Sequence, residues 1–194
     1  MPDYSIEIER YKGLMEEIKR RIFAIEEILM GETSTGFPIT DMEFIALQLT
    51  KILETMVLSH LISNPEEYIK QFTYLNEHRN AEHLLNKMSA INADFYPTPV
   101  QENEEPQALQ ANTAYLTKEE FITIYAACAS LLNPTNPFSE PININEIRNF
   151  VQPWVQRIIN LLNHHSIKLV DGISQLSVQM TSPEDETCKI SVLK

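Results

Sequence analysis

Glycine is scarce in this chain, with four in 194 residues. Two of them, Gly31 and Gly36, fall in one short stretch, GETSTGFP. No strand pattern precedes it and no lysine follows. A phosphate cradle needs closely spaced glycines between a strand and a helix, so that class is excluded and the stretch reads as a connector. Cysteine is scarcer still. Cys128 sits among apolar residues in a helical pattern, and Cys188 opens an alternating one. Two distant cysteines of this kind read as reduced thiols rather than a disulfide. Positive charge is also short: 15 Lys and Arg stand against 27 Asp and Glu, for a net charge of −12. Acid is in excess in both halves. Sequence-independent binding to nucleic acid or anionic membrane draws on clustered cations, and neither half forms such a module.

The amino end, MPDYSIEIER, is acidic and has no apolar run, so no secretory leader is expected. Residues 44–62 have the length to span a bilayer, but Lys51, Glu54 and His60 lie inside the segment and argue against it. The expected setting is cytoplasmic. No cofactor motif is present, and no Ser or Cys stands in a nucleophile-elbow context.

What the chain has in quantity is helical periodicity. Residues 41–63 are apolar on most of their circumference, which is the pattern of a buried helix with neighbours on several sides. Thr40-Asp41-Met42-Glu43 reads as a capping box at its start, and Asn64-Pro65 reads as its stop. Residues 4–30 carry a heptad seam: Ile8, Tyr11, Met15, Ile18, Ile22, Ile25 and Leu29 recur at alternating spacings of three and four. Such a seam packs on helices of its own chain or on a second copy, and the first is favoured. Asn64-Pro65-Glu66-Glu67 opens a further helix. Residues 76–92 form another, with Leu84, Leu85, Met88 and Ile91 as its stripe. Residues 97–114 are polar, acidic and proline-containing, and read as a linker. Thr117-Lys118-Glu119-Glu120 is a second capping box, opening a helix that ends at Asn133-Pro134.

A last helix is expected over about residues 144–164, kinked or broken at Pro153. Trp154 reads as a core anchor. From Ile167 the period changes to two. Leu176, Val178 and Met180 alternate with polar residues, and Cys188, Ile190 and Val192 alternate again. The fold class is therefore mostly α: one domain over 1–194, a bundle of five to six helices with a small C-terminal antiparallel β-hairpin or meander. Its parts are a first helical part at 1–96, the linker at 97–114, a second helical part at 115–165 and the meander at 166–194.

Candidate chemistry is sparse. His78 and His83 are five residues apart, about 140° around a helix axis, and His164 and His165 are neighbours. Neither pair has the spacing that puts two metal ligands on one helix face, so no metal is expected. Glu54 lies either on a narrow polar stripe with Lys51 and Thr55 or paired inside. Arg157 and His164 are separated by six residues, which places them on one face if the helix runs through both. Set on a helical bundle, this spacing resembles the HEPN superfamily, whose ribonuclease members carry Arg, four to six residues, then His. The resemblance implies metal-independent RNA cleavage at a dimer interface. His164 would act as acid or base, Arg157 would steady the phosphate, and Asn160 or Asn163 would give polar support. Ile158 departs from the polar residue those nucleases commonly have after the arginine. The reading favoured by the residues themselves is a non-enzymatic interaction or accessory protein, with a protein partner or a second copy of itself. RNA enters only under the ribonuclease alternative.

Overall fold

The structure is a computed structural model that describes residues 4–100, 114–134, 138, 143–182 and 186–193. Helix α1 spans Ser5–Met30. Its heptad seam is turned inward: Tyr11, Met15, Ile18, Ile22 and Ile25 are buried, while Ile8 and Leu29 are partly covered at the two ends. The seam is thus filled by the chain's own core. Gly31 closes the helix in the left-handed region, at φ 81°, where a side chain would be strained. The Glu32 amide then reaches back to the Glu27 carbonyl at 2.9 Å and the Gly31 amide to Ile28 at 3.2 Å, which satisfies two of the orphan carbonyls of the last turn.

Helix α2, Pro38–Leu58, starts earlier than its apparent capping box. Pro38 takes the first turn, where its missing amide costs nothing, so residues 40–43 are already helical. Thr40 does not cap. Its hydroxyl donates to the Phe37 carbonyl at 3.0 Å. Asp41 instead holds the connector, accepting from the Thr35 amide at 2.6 Å and from the Ser34 and Thr35 hydroxyls at 3.0 and 2.9 Å. The Thr35 amide bond is the main cause that lowers the Asp41 pKa. The far end of α2 tightens into a 3-10 turn, Ser59–Ser63, and stops at Asn64. Together these residues are long and apolar enough to cross a membrane, with 78% of the apolar window buried inside the protein. Their neighbours are α1 and helices α3 (Pro65–Glu77), α4 (Ala81–Ile91), α5 (Lys118–Leu132) and α6 (Ile144–Leu162). Asn64 caps α3 through the Glu67 amide, and Asn80 caps α4 through the His83 amide. The box at the start of α5 is complete in both directions, Thr117 to Glu120 and back.

Helix α6 is continuous through Pro153 and ends at Leu162, two residues short of the expected boundary. Asn163 closes it, and His164 opens a strand. The sheet has four antiparallel strands in the order β1 (Thr98–Pro99), β2 (His164–Lys168), β3 (Gln175–Gln179), β4 (Lys189–Leu193). The meander was legible. The two-residue β1 was not, since it lies in the stretch read as a linker. It pairs Thr98 with Ser166 and Pro99 with His165. The rest of that linker, 101–113, lies outside the described residues. Cys128 and Cys188 are both buried and free. Burial raises both thiols, to about 12 and about 11, so neither is an available nucleophile near neutral pH. Glu54 is half-buried and accepts from the Tyr125 hydroxyl at 2.8 Å.

Candidate functional site

The end of α6 and the start of β2 build one concave site. Because α6 stops at Leu162, the two-turn argument that placed Arg157 and His164 on a single helical face does not reach His164. The imidazole is carried by the first residue of a strand. The strand begins there because His164 pairs with Gln179 of β3, and the Val100 amide donates to the His164 carbonyl at 2.9 Å. The His164 side chain lines a cleft of about 360 Å³ with Val100, Tyr115, Gln156, Ile159, Asn160 and Asn163. Arg157 is not part of that lining. Its guanidinium forms an ion pair with Glu120 of α5, and its backbone carbonyl accepts from the Leu116 amide at 3.2 Å. The polar support expected from Asn160 and Asn163 is in the cleft with His164, while the cation is engaged beside it.

The amides in this cleft are held in a relay. Gln156 donates through Nε2 to Asn160 Oδ1 at 2.9 Å, and Asn160 donates through Nδ2 to the Ala114 carbonyl at 3.2 Å. Asn163 is fixed by its backbone: its amide bonds the Ile159 carbonyl and its carbonyl accepts from Met180, each at 2.8 Å. Neither the Asn163 side-chain amide nor the Tyr115 hydroxyl has a hydrogen-bond partner among the described residues.

His165 goes the other way, into the core, as the alternation of a strand requires. It is fully buried. Its Nδ1–H donates to the Leu162 carbonyl at 2.7 Å, so its Nε2 is the acceptor for the Tyr11 hydroxyl, also at 2.7 Å. Burial lowers the His165 pKa to about 4. His60, in the 3-10 turn, is a second buried imidazole. Its Nδ1–H donates to the Val57 carbonyl at 2.7 Å, its Nε2 has no partner among the described residues, and burial lowers its pKa to about 4 as well. Composition and spacing do not separate His60 and His165 from the exposed histidines; only burial does. His78 and His83 both gather on Tyr74, the first stacked at 5.0 Å and the second 3.5 Å from its hydroxyl. Among the described residues no group of three or more His, Cys, Asp or Glu converges on a metal position.

A second concavity lies between α1 and α3. It is an apolar groove of about 300 Å³ lined by Leu14, Ile62, Pro65, Tyr68 and Ile69, with Arg10 at its rim. Ile6, Arg10 and Leu14 share one face of α1 at steps of four, and Pro65, Tyr68, Ile69 and Phe72 share one face of α3. By helical spacing Ile6 continues that face of α1 and Phe72 that face of α3, and they are 61% and 50% exposed.

The comparisons add no relative to this geometry. The chain matches no protein-family model, no curated protein and no solved structure.

Proposed function

We propose that this chain is an interaction protein that receives an amphipathic helix of a partner in the groove between α1 and α3. The observation that supports the reading is the groove itself. Apolar residues of α1, the 3-10 turn and α3 line it together, and Ile69 among them is 66% exposed. Apolar side chains gathered this way are a cost to an isolated protein and mark a contact surface. Helix-in-groove docking uses anchors spaced at three, four and seven, which is the spacing of the groove's own walls. Arg10 is exposed and has no carboxylate partner among the described residues, so the docking helix is expected to carry an acidic residue beside its apolar stripe.

A photoreactive residue placed at Ile69 tests this in extract of the native cell. The expected result is a crosslink to a single protein through a helical segment, abolished by Arg10→Glu or Phe72→Asp. Labelling no stronger than from a control position at Lys12, on the other side of α1, would sink the reading. A crosslink to a second copy of this chain would make the partner a homodimer.

One observation favours a second reading, the HEPN-like ribonuclease: His164 shares a cleft with Asn160 and Asn163. That reading needs Arg157 to leave Glu120. It predicts RNA cleavage that survives chelators and is lost in both Arg157→Ala and His164→Ala. Absence of cleavage by the wild type under chelator removes it.

A further inference from the structure

We infer that the outer edge of β4 is a self-association site, where two copies of the chain join their sheets by pairing β4 with β4, antiparallel about a twofold axis through Ser191. This surface is separate from the helix groove. The argument starts from hydrogen-bond direction. In an antiparallel strand both backbone groups of a residue point to the same neighbour, and successive residues alternate. The Met180 amide donates to the Asn163 carbonyl, just before β2. Val178 and Leu176 therefore also turn to β2, and Gln179, Ser177 and Gln175 turn to β4. Those three stand opposite Lys189, Ser191 and Leu193, which take up their bonds. The backbone groups of Ile190 and Val192 are left pointing away from the sheet. The start of the strand agrees: the Cys188 amide, on the same alternation, leaves the sheet for Glu16 Oε1 at 3.0 Å. Among the described residues β4 is the last strand, and none bonds the outward groups of Ile190 or Val192. Folds commonly blunt such an edge with proline, charge or a bulge, and residues 190–193 carry none of these.

The register points to a second copy as the occupant. With Ser191 on the axis, Ile190 of each copy faces Val192 of the other, and every outward amide meets an outward carbonyl. An axis at Ile190 would set Val192 against Cys188, whose amide Glu16 already holds. An axis at Val192 would set Ile190 against residue 194, beyond the described strand. The Ser191 axis is thus the one that pairs both outward residues of each copy within β4. The side chains fit the same register. Ile190 and Val192 share a face with Val178 and Leu176, which are fully buried, so their contact across the axis extends the apolar face of the sheet. Val192 is 39% exposed in the single copy. On the other face Ser191 meets Ser191, a favourable cross-strand pair, and Lys189 meets Leu193, so no like charges oppose. Each copy covers the open edge of the other, and the assembly closes at two. One short strand per copy makes a small contact, so the dimer belongs to the weak class.

The test is disulfide trapping in the full chain, beside sedimentation at concentrations up to about 1 mM. Ser191 would face its own copy in a non-hydrogen-bonded pair, with Cα atoms about 4.5 Å apart, within reach of a disulfide. Cys128 and Cys188 are buried and do not compete. Ser191→Cys is expected to crosslink about tenfold faster than Leu193→Cys, whose copies lie too far apart in this register. Lys189→Cys mixed with Leu193→Cys should give the mixed dimer in preference to either homodimer. Val192→Pro removes an outward amide that β3 does not use, a position where an edge strand tolerates proline. The wild type should sediment as a concentration-dependent dimer, and this variant as a folded monomer over the same range. Val192→Lys takes its place if circular dichroism shows the proline disturbs folding. A wild type that stays monomeric throughout overturns the inference. So do equal trapping rates at 191 and 193. So does a dimer kept in Val192→Pro but lost in Phe72→Asp, which would move association to the helix groove.

Discussion

At the scale of single residues, the two buried imidazoles govern how the fold responds to acid. His60 and His165 are both neutral in the folded chain, with pKa values lowered to about 4, below the ~6.5 of an unfolded histidine. The unfolded state therefore binds more protons wherever pH lies between those values. Their contribution is complete above about pH 6.5 and is lost as pH falls through 4, on the order of 3 kcal/mol for each at full titration. Urea midpoints at pH 7 and pH 4.5 check this; an unchanged midpoint would mean that neither imidazole is dry. Tyr11→Phe separates packing from hydrogen bonding at the same place. It leaves the ring and strips the buried His165 Nε2 of its donor, so a loss of about 1 to 3 kcal/mol is expected at pH 7.

At the scale of elements, the two threonine–glutamate boxes make a controlled pair. Thr117 caps α5 in full, and Thr117→Ala is expected to cost about 1 kcal/mol in urea unfolding. Thr40 looked equivalent in sequence but sits inside α2, and Thr40→Ala should stay within about 0.5 kcal/mol. Pro38 decides the difference by starting the helix sooner. Pro153 is the converse case. Its local preference is to break a helix, yet α6 runs through it, because Val151, Val155 and Ile158 on either side are buried together. The ring still removes one amide from the ladder and crowds the carbonyl four residues back. Pro153→Ala at this exposed position should raise stability by roughly 1 to 3 kcal/mol.

At the scale of the whole molecule, the heptad seam of α1 belongs to the core, so it is not an open assembly surface. Ile18 and Ile22 are 0% and 6% exposed. Changing both to Asp would bury two unpaired carboxylates, and loss of cooperative unfolding is expected rather than a folded monomer. Light scattering with circular dichroism distinguishes the outcomes: a folded double variant of lower mass would return the seam to an interface between copies. Association of the intact protein, if measured, is expected to depend on the edge of β4 at Ile190 and Val192 instead.

Most of the helical architecture was determined by the sequence alone. Periods of 3.6 and 2 mark which face of each segment is apolar, and caps such as Asn64 and Thr117 act on amides only three residues away, so both signals are local. The tertiary structure alone decided the cleft. Whether residue 164 continues α6 or starts β2 depends on its pairing with Gln179. Whether Thr98 and Pro99 form a strand depends on the edge that β2 offers. Whether Arg157 is available depends on Glu120, which another helix carries. These are contacts between segments distant in the chain, and spacing along one segment cannot encode them.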